Sequence, residues 1–154
     1  MIKVESATKY FGDVCSLDEV TLQIPDGSIF GLIGSNGSGK SNISDAILWV
    51  MGEQSSKTLR GAKMEDVIFG GTQKRSAVGF AEATLTLDNT DRALSYDADE
   101  VMVTRRYYRS GDSEYLINGA QVRLRDVREA FLDTGLSRDG YSIIGQGRIS
   151  EIVA

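Results

Sequence analysis

Eight consecutive residues, Gly34-Ser35-Asn36-Gly37-Ser38-Gly39-Lys40-Ser41, constrain this chain more than any other stretch. They satisfy the pattern G-x-x-x-x-G-K-[ST], which has mechanical meaning only between a strand and a helix. Both neighbours are expected. Ile29 to Ile33 is a short, nearly continuous apolar run, the form a strand takes when a parallel sheet is covered on both faces. Beyond the loop, Ile43, Ala46, Ile47, Val50 and Met51 recur at helical spacing until Gly52 ends the pattern. Glycines in such a loop permit positive φ and let successive N–H groups converge on an anion, with the positive end of the helix behind them. Lys40 is then expected to reach the β- and γ-phosphates of a nucleotide, and the Ser41 hydroxyl to coordinate Mg2+. A glycine turn with a solvated lysine is the alternative, and the flanking strand and helix weigh against it.

Composition narrows the chemistry further. The chain has no histidine and one cysteine, Cys15, so Cys/His zinc sites, Ser-His-Asp or Cys-His nucleophile systems and a histidine pH switch are excluded within it. Carboxylate, Lys, Arg, hydroxyl and backbone chemistry remains, and phosphate handling uses mainly those. With 154 residues, a net charge of −5 and 41% hydrophobic residues, a single globular domain is expected. No apolar run approaches the ~20 residues of a membrane helix, and no cationic, apolar leader opens the chain. The expected location is therefore cytoplasmic, with which the lone Cys15 agrees.

Alternation of apolar and polar residues predicts half-buried strands over Ile2 to Ala7 and at Val20, Leu22 and Ile24, followed by a turn at Pro25-Asp26-Gly27. Phe80 to Asp88 is a period-two strand with one wet face. Val101 to Arg109 and Glu114 to Asn118 read as two more, joined at Ser110-Gly111-Asp112, with Asn118-Gly119 as a further tight turn. An antiparallel subdomain is expected there. Leu124, Val127, Phe131 and Leu132 mark a short amphipathic helix stopped near Gly135. Hydrolysis also needs carboxylates to hold metal and orient water. The nearest candidates, Asp88, Asp133 and the Asp99-Glu100 pair, follow no four-residue apolar strand and read as ordinary strand-end, helix-end or loop groups.

Several blocks carry a family likeness. Gly37-Ser38-Gly39-Lys40-Ser41-Asn42-Ile43-Ser44-Asp45-Ala46-Ile47, Thr58-Leu59-Arg60-Gly61, Thr104-Arg105-Arg106, Glu114-Tyr115-Leu116-Ile117-Asn118-Gly119 and Ser142-Ile143-Ile144-Gly145-Gln146-Gly147 resemble the N-terminal ATPase-head half of bacterial structural maintenance of chromosomes (SMC) proteins. The likeness spans residues 34–152 in family order. It implies an α/β P-loop NTPase fold of ABC-ATPase type, here an N-terminal half with a mixed or parallel core sheet and an antiparallel β subdomain. It implies ATP and Mg2+ as cofactors, bound by Ser35, Asn36, Gly37, Ser38, Gly39, Lys40, Ser41 and Asn42. Gln146 would join Ser41 in holding the metal and orient the attacking water, and Arg60 would reach the phosphates and link the site to DNA. Without the likeness, Gln146 is a satisfied polar residue and Arg60 a solvated cation.

Residues 1–33 resemble instead the start of an ABC transporter ATP-binding subunit, in which Phe11 would stack on adenine; a core-packed Phe11 is the alternative. The two resemblances meet in the phosphate loop, as in a gene recombined or misassembled there. The expected organisation is one partial head over 1–154, divided into a transporter-like β segment (1–33), the loop and helix (34–52) and an SMC-like lobe (53–154). No Leu-Ser-Gly-Gly-Gln-like signature is present. The likeness therefore implies an ATP-binding fragment that needs a C-terminal SMC head half, and a second head for ATP-driven dimerisation, to hydrolyse ATP in chromosome condensation and segregation. A truncated transporter subunit and a non-catalytic docking module are the competing readings. DNA is a further candidate partner, because Arg105, Arg106 and Arg109 lie on one predicted strand and Arg123, Arg125 and Arg128 approach the last helix. Solvated or salt-bridged arginines are the alternative.

Overall fold

The computed structural model describes residues 2–11, 14–25, 31–36 and 38–132, with side-chain surroundings from residue 19 onward. The alternating runs pair into one sheet of order β2-β1-β3-β4-β5-β6. Its strands are β1 (Ile2–Phe11), β2 (Val14–Ile24), β3 (Phe80–Asp88), β4 (Glu100–Tyr108), β5 (Ser113–Ile117) and β6 (Ala120–Val122). Among the described residues the helices are α1 (Lys40–Val50) and α2 (Leu124–Leu132), with a 3-10 turn at Met64–Val67.

Every ladder among the described residues is antiparallel. The expected antiparallel part of the architecture is thus present, and the expected parallel pairing does not appear among them. Gly31, Leu32 and Ile33, the described end of the apolar run, carry no strand, and Ile33 is 95% exposed. The physical reason is that a strand exists through its neighbours, and none of the described strands runs beside this segment. Sequence shows that the run can be buried, not what buries it.

The alternation does decide which face of the sheet is covered. Leu85 and Leu87 of β3, Val101 and Val103 of β4, and Tyr115 and Ile117 of β5 point to one face, where Ile43, Ile47 and Val50 of α1 and Val127 and Phe131 of α2 meet them. Burying side chains of this size stabilises a fold by about 1.5–3 kcal/mol each. The other face is wetter: Thr84 and Thr104 share a hydroxyl hydrogen bond of 2.8 Å, and the rings of Phe80 and Tyr108 meet at 44° with centroids 5.6 Å apart. At the Asn118-Gly119 turn both residues have positive φ, 48° and 80°, which a two-residue hairpin of this twist requires. It creates β6, a strand too short to show as alternation.

The long connection between β3 and β4 is organised by one amide. Asn89, with no exposed surface, donates from Nδ2 to the carbonyls of Tyr96 and Ala98 (2.9 Å each) and accepts the Leu94 N–H at 2.8 Å. Leu94 is thereby drawn into the core.

Candidate functional site

The loop ends where helix begins, and Gly39 makes the junction. It is the N-cap of α1 with φ 84°, in the left-handed region that a side chain would strain. Its carbonyl accepts the N–H groups of Asn42 (2.9 Å) and Ile43 (3.4 Å), so the preceding N–H groups of the first turn stand outside the helical ladder. At the other end of the loop, a Cβ on Gly34 would lie 2.7 Å from Ser38 Oγ. A side chain at that point would require the Ser38 hydroxyl to turn away, so the two ends of the loop lie close together. Ser38 N–H donates to the Ser35 carbonyl at 3.2 Å, and Lys40 Nζ folds back to donate to the carbonyls of Gly34 (2.7 Å) and Ser35 (2.9 Å). Lys40, Ser41 and Asn42 are half-buried, while residues 31–36 are exposed. The chain thus places an ammonium, a hydroxyl-bearing residue and a helix N-terminus within three consecutive positions, 39–41. Those donors fit an anionic phosphate chain and the hydroxyl fits Mg2+.

Arg60 is brought to the same place by tertiary folding. Its guanidinium donates to Asn42 Oδ1 (NH2, 3.0 Å) and to Asp45 Oδ2 (Nε 2.9 Å, NH2 2.5 Å), both on the first turns of α1. Arg60 itself sits at φ 60°, ending a turn in which its N–H reaches the Lys57 carbonyl at 3.0 Å. The Asp66 carboxylate holds the following segment through the N–H groups of Ala62 (2.8 Å) and Lys63 (3.0 Å). Asn42 Nδ2 is buried with no acceptor among the described residues. Gly37 and Gln146 lie outside the described residues. Phe11 pairs through its backbone with Val14 at the β1–β2 end, and its side chain is outside the description.

Two of the carboxylate candidates have partners in the β3–β4 connection. Asp88 accepts the Thr90 N–H at 2.9 Å, a bond that holds its pKa below the ordinary value. Asp99 pairs with Arg92 at 2.8 Å. Asp133 lies outside the described residues.

The arginines named as candidate DNA contacts have different surroundings. Arg105 is 1% exposed and lies in the core, so it cannot contact DNA. Arg106, on the opposite face, is ion-paired with Glu82 and approaches Glu114 at 3.9 Å. Arg109 ties loops together through the carbonyls of Val78 (Nε, 2.8 Å) and Phe69 (NH2, 2.9 Å). Arg125 pairs with Asp126 at 3.2 Å, and Arg128 NH2 donates to the Gly52 carbonyl at 3.2 Å. The alternation of β4 separates Arg105 from Arg106, and of the others Arg106 and Arg125 have carboxylate partners while Arg109 and Arg128 bond to neutral carbonyls.

Sequence reasoning missed what Arg105 does. Its NH1 donates to the carbonyls of Trp49 (2.8 Å) and Glu53 (2.7 Å), at the C-terminal end of α1. The guanidinium carbon lies 4.9 Å from the Trp49 ring centroid and 5.1 Å from that of Tyr115. Burial lowers its pKa, while Tyr115, Glu53 and Tyr107 favour the charged form, and a guanidinium remains protonated throughout. The signal was available in part: Val101, Val103 and Tyr107 share its face of the strand.

Likeness to known proteins follows the same elements. Residues 13–146 match the RecF/RecN/SMC N terminal domain family. The chromosome partition protein Smc of Clostridium kluyveri is 58% identical over 139 residues, which is 90% of this chain and 12% of that relative's length. Among solved structures, one from work on ATP-driven dimerization and DNA-stimulated activation of SMC ATPases superimposes with a TM-score of 0.80 at 34% identity, covering 99% of this chain and 88% of that one. The SMC head bound to the C-winged helix domain of ScpA gives 0.81 at 34% identity, covering 99% and 45%. The family match begins upstream of the phosphate loop and the superpositions run through nearly the whole chain, so a truncated transporter subunit is not favoured as the reading of this chain. With an SMC head fold and a family match that includes the loop, the chain belongs to the RecF/RecN/SMC N terminal domain family.

Proposed function

We propose that this chain binds MgATP through residues 34–42 as the N-terminal segment of an SMC-type head serving chromosome partition, and that hydrolysis requires a C-terminal head half and a second head. The observation that carries the reading is the closed loop: Gly39 in a left-handed conformation, Gly34 in close packing, and Lys40 Nζ laid across the loop carbonyls at 2.7 and 2.9 Å. Lys40 exchanges these neutral acceptors for phosphate oxygens, which are the stronger partners for an ammonium. The backbone N–H groups at the start of α1 orient the same phosphates, and the Ser41 hydroxyl offers a metal ligand. Bound Mg2+ supplies charge neutralisation at the phosphates. Arg60, already at the first turns of α1, is within the same cluster and is read as a second phosphate-directed cation. Gln146 is read as the residue that joins Ser41 at the metal and orients water.

The partner reading rests on the relatives. The chain spans 12% of the length of the Clostridium Smc protein, and the solved SMC ATPases are described with ATP-driven dimerization. The exposed Ile33 suits a segment completed by further chain. DNA contact through Arg105 and its neighbours is not part of the reading.

Replacing Lys40 tests the nucleotide site. Lys40→Ala removes a charged hydrogen-bond donor, a loss of about 1.5–3 kcal/mol, so MgATP affinity measured by calorimetry falls roughly tenfold to a hundredfold. A folded variant that binds MgATP as the original chain does would refute the assignment. Co-expression with an SMC C-terminal head half tests the remainder: restored ATPase activity supports the reading, and binding without activity favours a docking module.

A further inference from the structure

We infer that Arg105 is a positioning residue for the phosphate loop, acting from the far end of α1. The inference rests on the nucleotide reading above and adds a residue that touches neither the loop nor its ligand.

A loop at the N-terminus of a helix is placed only as well as the helix is. Helix α1 runs from Lys40 to Val50, a length of roughly 15 Å. Its contacts with the sheet come from Ile43, Ile47 and Val50, and apolar contacts are non-directional. They seat the helix on the sheet, and directional bonds add to its placement along the axis: Arg60 bonds to Asn42 and Asp45 at its first turns, and Arg105 holds its other end. One nitrogen of the Arg105 guanidinium bridges the carbonyls of Trp49 and Glu53 at 2.8 and 2.7 Å, while its carbon lies over the rings of Trp49 from the helix and Tyr115 from β5, 4.9 and 5.1 Å from their centroids. The hydrogen bonds limit sliding and the two rings limit rotation.

The local backbone is prepared for this grip. Glu53 N–H bonds to the Leu48 carbonyl at 3.0 Å and Gly52 N–H to the Trp49 carbonyl at 3.2 Å, the paired bonds of a Schellman ending, with Gly52 at φ 101°. The Trp49 carbonyl therefore accepts from the helix end and from Arg105 together. A cation here also suits the negative end of the helix dipole. A charge with 1% exposure is costly to bury, and an apolar residue of similar length would fill the same volume. What the apolar residue cannot do is fix two carbonyls in place. Misplacement of a binding group by about an ångström can cost a hundredfold in function, so a helix free to settle differently on the sheet loses the loop geometry first.

The test compares MgATP affinity at matched stability. Arg105→Met keeps the length and removes the bonds and the charge; Arg105→Lys keeps a cation but loses the planar fork. Val127→Ala, in the core on α2, lowers stability and removes none of the hydrogen bonds of Arg105 or the loop. Calorimetry with MgATP and urea unfolding are run on all three and on the unsubstituted chain. The expected result is affinity at least about tenfold weaker in Arg105→Met, intermediate in Arg105→Lys, and within about twofold of the original in Val127→Ala. Arg105→Met binding within about twofold of the original overturns the inference, as does an equal loss in Val127→Ala. Should Arg105→Met not fold, Arg105→Lys carries the comparison, and unchanged affinity there overturns it. An unsubstituted chain that binds no MgATP overturns the nucleotide reading and this inference together, whereas the preceding outcomes overturn this inference alone.

Discussion

Glycine 52 offers a measurement of how α1 is docked, because its replacement is strained in two separable ways. At φ 101° an L-residue meets its own carbonyl, a cost of about 1–2 kcal/mol. An alanine Cβ would also lie 2.8 Å from Leu124 Cδ1 and 3.4 Å from Arg128 Nε, so α2 must shift or Leu124 must leave its rotamer, adding about 1–3 kcal/mol. Gly111 separates the two terms. It has φ 94°, similar backbone strain, and nothing within 4 Å of the added Cβ. Alanine reduces the freedom of the unfolded chain at both positions and returns about 0.4–1 kcal/mol. Gly111→Ala is therefore expected to cost about 1 kcal/mol and Gly52→Ala about 2–4 kcal/mol. In a chain of this size, each kcal/mol moves the thermal midpoint by about 2–4 °C. Urea and thermal unfolding followed by circular dichroism, with the urea slope held common, measure the difference. Equal losses in the two variants would refute the close approach of α2 to the end of α1.

Other outcomes follow from single side chains. Asn89→Ala strips partners from two carbonyls and one N–H around a fully buried position, and is expected to destabilise by about 2–4 kcal/mol with faster exchange of the Leu94 amide; exchange unchanged from the original would contradict the amide's role. Asp126 accepts the Arg123 N–H at 2.8 Å, the main cause of its lowered pKa. A depressed carboxylate contributes stability that is complete above its ordinary value of 3.8 and is lost as pH falls through the lower folded value. Asp126→Asn should accordingly lower the urea midpoint near neutral pH and lessen the loss of stability in acid. An acid profile parallel to the original would count against it.

Much of the fold was legible because local patterns carry it. Period-two runs located β3, β4 and β5 to within a residue or so at each end, and the Asn118-Gly119 pair implied a turn whose positive φ values the structure bears out. The helix after the phosphate loop was readable from apolar spacing and its glycine stop. Other features were not readable. β6 has three residues and exists only because the turn folds it onto β5. The apolar run ending at Ile33 resembles a buried strand in composition, yet no described strand pairs with it. Asn89 carries no pattern at all, since its three partners lie in a loop whose path it creates.

Sequence by itself determined that this chain carries a glycine-rich loop ending in Lys40-Ser41 at the head of a helix, and that no histidine chemistry operates within it. It also determined that Arg105 and Arg106 face opposite sides of their strand, because alternation is a property of the extended backbone. Only the tertiary structure decided what each side meets. Arg105 reaches a carbonyl 56 positions earlier in the chain, and Arg60 reaches Asp45 across 15. Such bonds depend on where a helix comes to rest on a sheet. That position is set by packing and directional hydrogen bonds together, and periodicity records neither.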